Sequence, residues 1–134
     1  MELDERTEKK LLTKEEAVNI SIQKWEKCIS WYKANRQYKG WQEGLMSLMQ
    51  DDCGFCIFYG DTEEEGKEIE VKCPLFPSIC TASRRLGPSL YWKIYDQARN
   101  GHKRGLLPML KYMLQEIRAK GQQWTKQKEQ LNEN

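Results

Sequence analysis

Apolar positions recur at helical spacing in both outer thirds of this chain and at strand spacing only in its middle. Thr13-Lys14-Glu15-Glu16 has the form of a capping box, in which a hydroxyl accepts an orphan amide and a carboxylate reaches back to the cap. Val18, Ile22, Trp25, Ile29 and Tyr32 then fall at alternating spacings of four and three, which predicts one long helix over 14–35. On that pattern Trp25 is core and Trp31 partial cover. A shorter helix is expected over Trp41–Gln50, with Leu45, Leu48 and Met49 leaning on the first. Ile57-Phe58-Tyr59 reads as a short extended run, and Glu68-Ile69-Glu70-Val71-Lys72 alternates as a half-exposed strand does. With the polar stretch Gly60–Gly66 between them, the two runs predict a small hairpin. A third helix is expected from Ser89 to Asn100, with Leu90, Tyr91, Ile94, Tyr95 and Ala98 inward and Gly101 as a left-handed cap. Pro108 suits the first turn of a last helix, whose apolar face is Leu107, Leu110, Met113, Leu114 and Ile117. Gly121 weakens that helix.

The fold class these elements imply is mainly α, as a small α+β domain: a long N-terminal helix, a zinc-bearing β-hairpin or knuckle, and two C-terminal helices. Residues 1–12 read as a charged flexible leader, 13–120 as one zinc-stabilised domain, and 121–134 as a polar tail anchored by Trp124 and Leu131. A chain of 134 residues with 39% hydrophobic and 31% charged residues is globular but modest in core, so a cross-link in its middle is physically useful. The charged start has no signal-peptide form, and no run approaches the ~18 apolar residues of a membrane span. A cytoplasmic protein is therefore expected, within the host cytoplasm if it is viral, and with no membrane partner.

Charge is segregated. Residues 51–72 carry eight acidic side chains against Lys67 and Lys72, a balance of −6. Residues 81–128 carry eleven Lys and Arg against Asp96 and Glu116, a balance of +9. The acidic run lacks the alternating oxygen ligands and glycine turn of a calcium loop and reads as a solvated loop tip.

Four of the five cysteines lie between positions 53 and 80. Cys53 and Cys56 form a C-x2-C pair, and Cys73 and Cys80 follow as C-x6-C, with Pro74 and Pro77 stiffening the wider loop. Two thiolates two residues apart share one side of a tight knuckle, whose amides can donate to the sulfurs; a second pair from across the loop completes a tetrahedron at ~2.3 Å per sulfur. Structural zinc is the reading these spacings favour. Buried free thiols, an iron–sulfur cluster and a redox pair are the alternatives. The redox reading is the weakest, because a thioredoxin-type pair needs a helix running from it, whereas Ile57-Phe58-Tyr59 looks extended. Cys28, on the first helix, reads as a small buried hydrophobe.

Catalytic signals are sparse. His102 is the single histidine; four cysteine ligands close a zinc site to substrate water; and neither a Gly-rich phosphate loop nor H-E-x-x-H occurs. A non-enzymatic chain is expected. Arg84 and Arg85, directly after the cysteines, together with Lys93, Arg99, His102, Lys103 and Arg104, form a candidate partner- or nucleic-acid-binding surface spanning 84–104 and suited to phosphate contacts.

The order Lys24-Trp25-Glu26, then Asp52-Cys53-Gly54-Phe55-Cys56, Cys73-Pro74, Cys80 and Pro88-Ser89-Leu90-Tyr91-Trp92 resembles small bacteriophage and prophage proteins of unassigned function, over roughly residues 20–118. Proteins of that kind carry C-x-x-C-P where this chain has Glu70-Val71-Lys72-Cys73-Pro74, so it keeps four cysteines, enough for one tetrahedral site. The resemblance implies a viral origin and no enzymatic role. The function expected is a zinc-stabilised interaction protein, a phage accessory factor that binds and modulates a host protein of defence or replication. The alternative is a nucleic-acid-binding module working through 84–104.

Overall fold

The capping box forms: Thr13 Oγ1 accepts from the Glu16 amide at 3.0 Å, and Glu16 Oε1 accepts from the Thr13 amide at 2.9 Å. It opens α1, Lys14–Asn35. The computed structural model describes residues 12–51, 53–59, 74–75, 78–80 and 89–133. Within them, α2 is Trp41–Gln50, α3 Gly54–Tyr59, α4 Leu90–Arg99 and α5 Leu106–Glu133. Gly101 takes the left-handed conformation expected of it, at φ 74°.

The helices close a ring. α1 packs on α2, α2 on α4, α4 on α5, and α5 back on α1, with α3 tucked against α1. Hydrogen bonds show that α1 and α5, and likewise α2 and α4, run antiparallel. Tyr32 near the end of α1 reaches the Lys103 carbonyl just before α5, while Lys14 at its start reaches the Trp124 carbonyl. Gln42 in the first turn of α2 donates to the carbonyls of Ala98 and Arg99 at the end of α4, and Tyr91 at the start of α4 donates to the Met49 carbonyl at the end of α2. The result is an up-down-up-down bundle. Tyr32, Leu45, Ile94, Leu110, Met113 and Ile117 fill its core.

The expected α+β fold is overturned. Among the described residues there is no strand, and every regular element is a helix. Residues 57–59, expected as one arm of a hairpin, belong to α3; the other arm, 68–72, lies outside the described residues. A short apolar run is compatible with either helix or strand, and here tertiary contacts decide. The Ile57 amide bonds the Cys53 carbonyl at 3.1 Å, closing the first turn, and the Gly54 amide donates to buried Ser21 Oγ at 2.9 Å. Phe55 is wholly buried, edge-on to Trp124. An extended 54–59 would lose this anchoring.

Two further differences concern faces and ends. The buried face of α1 is Ala17, Ser21, Trp25, Cys28 and Tyr32, while Val18, Ile22 and Ile29 are half-buried. The face is rotated because α1 meets three neighbours rather than one. The last helix does not weaken at Gly121 but runs through it to Glu133. A Cβ at Gly121 would stand 2.8 Å from Val18 Cγ1, so the missing side chain lets α5 lie close on α1. One turn later Trp124 is buried between Phe55 and Phe58, with the Lys14 ammonium over its ring at 4.6 Å. No helix among the described residues is long and apolar enough to cross a membrane.

Candidate metal centre

Cys53 follows the end of α2 and precedes α3; Cys56 lies one turn into α3. This places both thiols on one side of the turn, with their sulfurs 3.9 Å apart. Two ligands of a tetrahedron with ~2.3 Å metal–sulfur bonds stand ~3.8 Å apart, so the pair is already at ligand spacing. Cys53 is 8% exposed and Cys56 half-buried. The hydrogen bond between the sulfurs is the largest influence on Cys53, followed by burial, which opposes it. The Lys24 ammonium and the amides of Cys56 and Phe55 add to the first effect, and the thiol is lowered to about 6. Amides aimed at a sulfur are the outer support that a metal-bound thiolate requires.

Cys80 approaches from another segment. The amides of Ile79 and Cys80 both bond the Leu75 carbonyl, at 3.0 and 2.9 Å, closing a tight turn. That turn is tied to the start of α4 by bonds from the Leu90 amide to Ser78 and from the Tyr91 amide to Ile79, while Leu75 and Ile79 sink into the core. Cys53, Cys56 and Cys80 line one cavity of about 250 Å³, walled by Trp25, Tyr91 and Trp92. The Tyr91 phenol sits among sulfurs: burial pushes it well above its usual range, and Cys80, Tyr95, Cys28 and Cys53 push in the same direction. Among the described residues no three His, Cys, Asp or Glu side chains form a ready-made ligand cluster. Two thiols are paired, a third lines the same cavity, and the fourth predicted ligand, Cys73, lies outside the described residues.

Cys28 is different in kind. It is wholly buried on α1, and burial pushes its thiol up to about 11, where it stays protonated and unreactive. A helix, and not the expected extended run, follows Cys53, as a thioredoxin-type pair requires. That helix has six residues. The more exposed thiol of the pair is Cys56, half-buried where Cys53 is 8% exposed.

Lys24 is the residue that sequence reasoning passed over except as part of a motif. Its ammonium caps the end of α2 through the carbonyls of Met49 at 2.7 Å and Asp51 at 2.5 Å, and lies over the rings of Trp25 and Tyr91. It thereby fixes the backbone that delivers Cys53.

The predicted basic surface divides. Arg84 and Arg85 lie outside the described residues. Lys93 and Arg99 are exposed on α4, and His102, Lys103 and Arg104 are exposed in the turn after it. Lys103 and Arg104 instead join Arg36 and Gln37, from the end of α1, around an open cleft of about 510 Å³. Arg36 was hidden from sequence because nearly seventy residues separate it from Lys103.

Compared with known proteins, the chain matches no family model, no curated relative and no solved structure.

Proposed function

We propose that this chain is a non-enzymatic, zinc-stabilised interaction protein, with Cys53, Cys56, Cys73 and Cys80 as the ligands of one structural zinc ion. The observation that supports it best is the 3.9 Å pairing of Cys53 and Cys56 at tetrahedral-edge spacing, on a cavity that Cys80 also lines. Four thiolates leave no position for substrate water, so the metal holds α2, α3 and the turn before α4 together and does no chemistry of its own. On this reading the cysteine end is scaffold, and the working surface is elsewhere on the bundle. The sequence resemblance adds a viral setting, in which a host macromolecule is the partner.

The test is the metal content of purified protein. One equivalent of zinc is expected in wild type, and less than about half an equivalent in Cys53→Ser or Cys73→Ser, because losing one ligand opens the site. Wild-type protein prepared in reductant without chelators that holds less than about half an equivalent overturns the site.

A further inference from the structure

The end of the bundle opposite the cysteines is built from two turns, 36–40 between α1 and α2 and 100–105 between α4 and α5. Around them, residues 33–43 and 96–105 carry Lys33, Arg36, Lys39, Arg99, Lys103 and Arg104 against Glu43 and Asp96, a balance of +4, with His102 besides. Two cations are held by rings. The Lys103 ammonium lies 5.7 Å over buried Trp41, and the Arg36 guanidinium 6.0 Å over buried Tyr32. Among the described residues no ion pair engages Arg36, Lys103 or Arg104. An aromatic face orders a cation without cancelling its charge, so these groups are positioned yet still available to an anion. The turn is rigid: Gln97 donates to the Arg104 carbonyl at 2.7 Å, and Tyr32 Oη to that of Lys103 at 3.4 Å.

Tyr38 stands in the same turn as Arg36 and Lys39 and is 60% exposed, more than any other large hydrophobic residue described. A tyrosine left in water between cations makes no contribution to the core. It is the stacking element of sites that combine a basic cleft with an aromatic face for unpaired bases. Duplex recognition by a helix in the major groove does not fit, because these groups sit on two turns and not along a helix.

We infer that this end of the molecule binds single-stranded nucleic acid, with Arg36, Lys103 and Arg104 on successive phosphates around the cleft and Tyr38 stacked on a base. The site lies apart from the cysteines and goes beyond the zinc reading, and it differs from the 84–104 surface expected from sequence by its dependence on residues 36–39. Binding is sequence-tolerant, since nothing buried in the cleft is placed to read base edges.

The experiment is fluorescence anisotropy of the full chain with labelled oligonucleotides of about 16 nucleotides, a length that covers a typical single-strand site. The probes are oligo(dT) and oligo(U), a duplex of equal length, and poly-glutamate as an acidic competitor. Both single strands should bind more tightly than the duplex, with a log–log salt slope near −2, the value for about three phosphates at ~0.7 each. Tyr38→Ala should weaken single-strand binding by roughly 5- to 100-fold and Tyr38→Phe should restore it, since stacking needs only the ring. Arg36→Ala/Lys103→Ala/Arg104→Ala should abolish binding and the salt dependence. Three outcomes overturn the inference: no binding to either strand at about 100 μM protein in low salt, the weak limit of sequence-independent binding; displacement by poly-glutamate as effective as by unlabelled strand, which makes the surface an acidic-protein site; or a Tyr38→Ala variant that binds like wild type. Zinc content measured on the same preparations separates the two readings, because fully loaded protein that fails to bind defeats this one alone.

Discussion

At the scale of single residues, the contact between Gly54 and Ala17 leaves least room for change. A Cβ at Gly54 would lie 1.7 Å from the Ala17 carbonyl oxygen, and backbone on both sides cannot turn aside as a side chain does. Gly54→Ala is therefore expected to cost about 3 kcal/mol, the upper end of overpacking, read as a lowered urea midpoint. Ser21→Ala removes the hydroxyl that accepts the buried Gly54 amide and should cost about 1–3 kcal/mol in the same assay. Cys28 gives the pH dependence. Its thiol is raised from 9.0 to about 11 in the folded chain. Below pH 9 it is protonated in both states and stability is intact. Between 9 and 11 the unfolded chain loses the proton first, so stability falls by roughly 2–3 kcal/mol. Cys28→Ala should flatten that alkaline loss in denaturation curves taken across this range; an unchanged alkaline limb would show that Cys28 is not its source.

Individual helices were legible to the extent that their signals are local. The capping box, the left-handed Gly101 and the position of Pro108 each act within one turn, and the start of α1, the end of α4 and the start of α5 follow from them. α3 was misread because its six residues are uniformly apolar and carry no period; Ser21 and Trp124, far away in sequence, make it helical. The extension of α5 was missed for a related reason. Glycine in a helix is unfavourable by roughly 1 kcal/mol against alanine in isolation, and only the close approach to Val18 turns it into a requirement. At the candidate site, the C-x2-C pair announced itself through spacing, whereas Lys24 and Arg36 act through partners that spacing does not show. α5 thus reaches the core as far as Trp124. Trp124→Ala should cost about 3–5 kcal/mol by chemical denaturation, with Trp124→Phe retaining part of it. A cost below about 1 kcal/mol would mean that α3 and α5 support one another little.

For the molecule as a whole, the two ends differ in chemistry: Cys53, Cys56 and Cys80 lie together at one, and the cations of the 36–40 and 100–105 turns occupy the other. A cluster of cations draws an approaching polyanion before contact. On the zinc proposal, chelation should lower the melting temperature and expose Cys53, Cys56, Cys73 and Cys80 to alkylation, while the ring of α1, α2, α4 and α5 stays closed. Cys28 should stay protected and most far-UV helical signal should survive; collapse of that signal would make the ring dependent on metal. The way the ring closes also has a kinetic consequence. Two of its four helix pairs, α1–α2 and α4–α5, join neighbours along the chain, and α2 and α4 are separated by α3 and the segment after it. The pair of α1 and α5, by contrast, is stitched by Lys14 and Trp124, which are 110 residues apart. The entropy of bringing such distant segments together leads us to expect that pairing to form last. Substitutions at this seam should therefore leave the refolding rate nearly unchanged and appear almost wholly as faster unfolding. The clasp between first and last helices would then govern how long the native bundle lasts once formed, rather than how quickly it assembles.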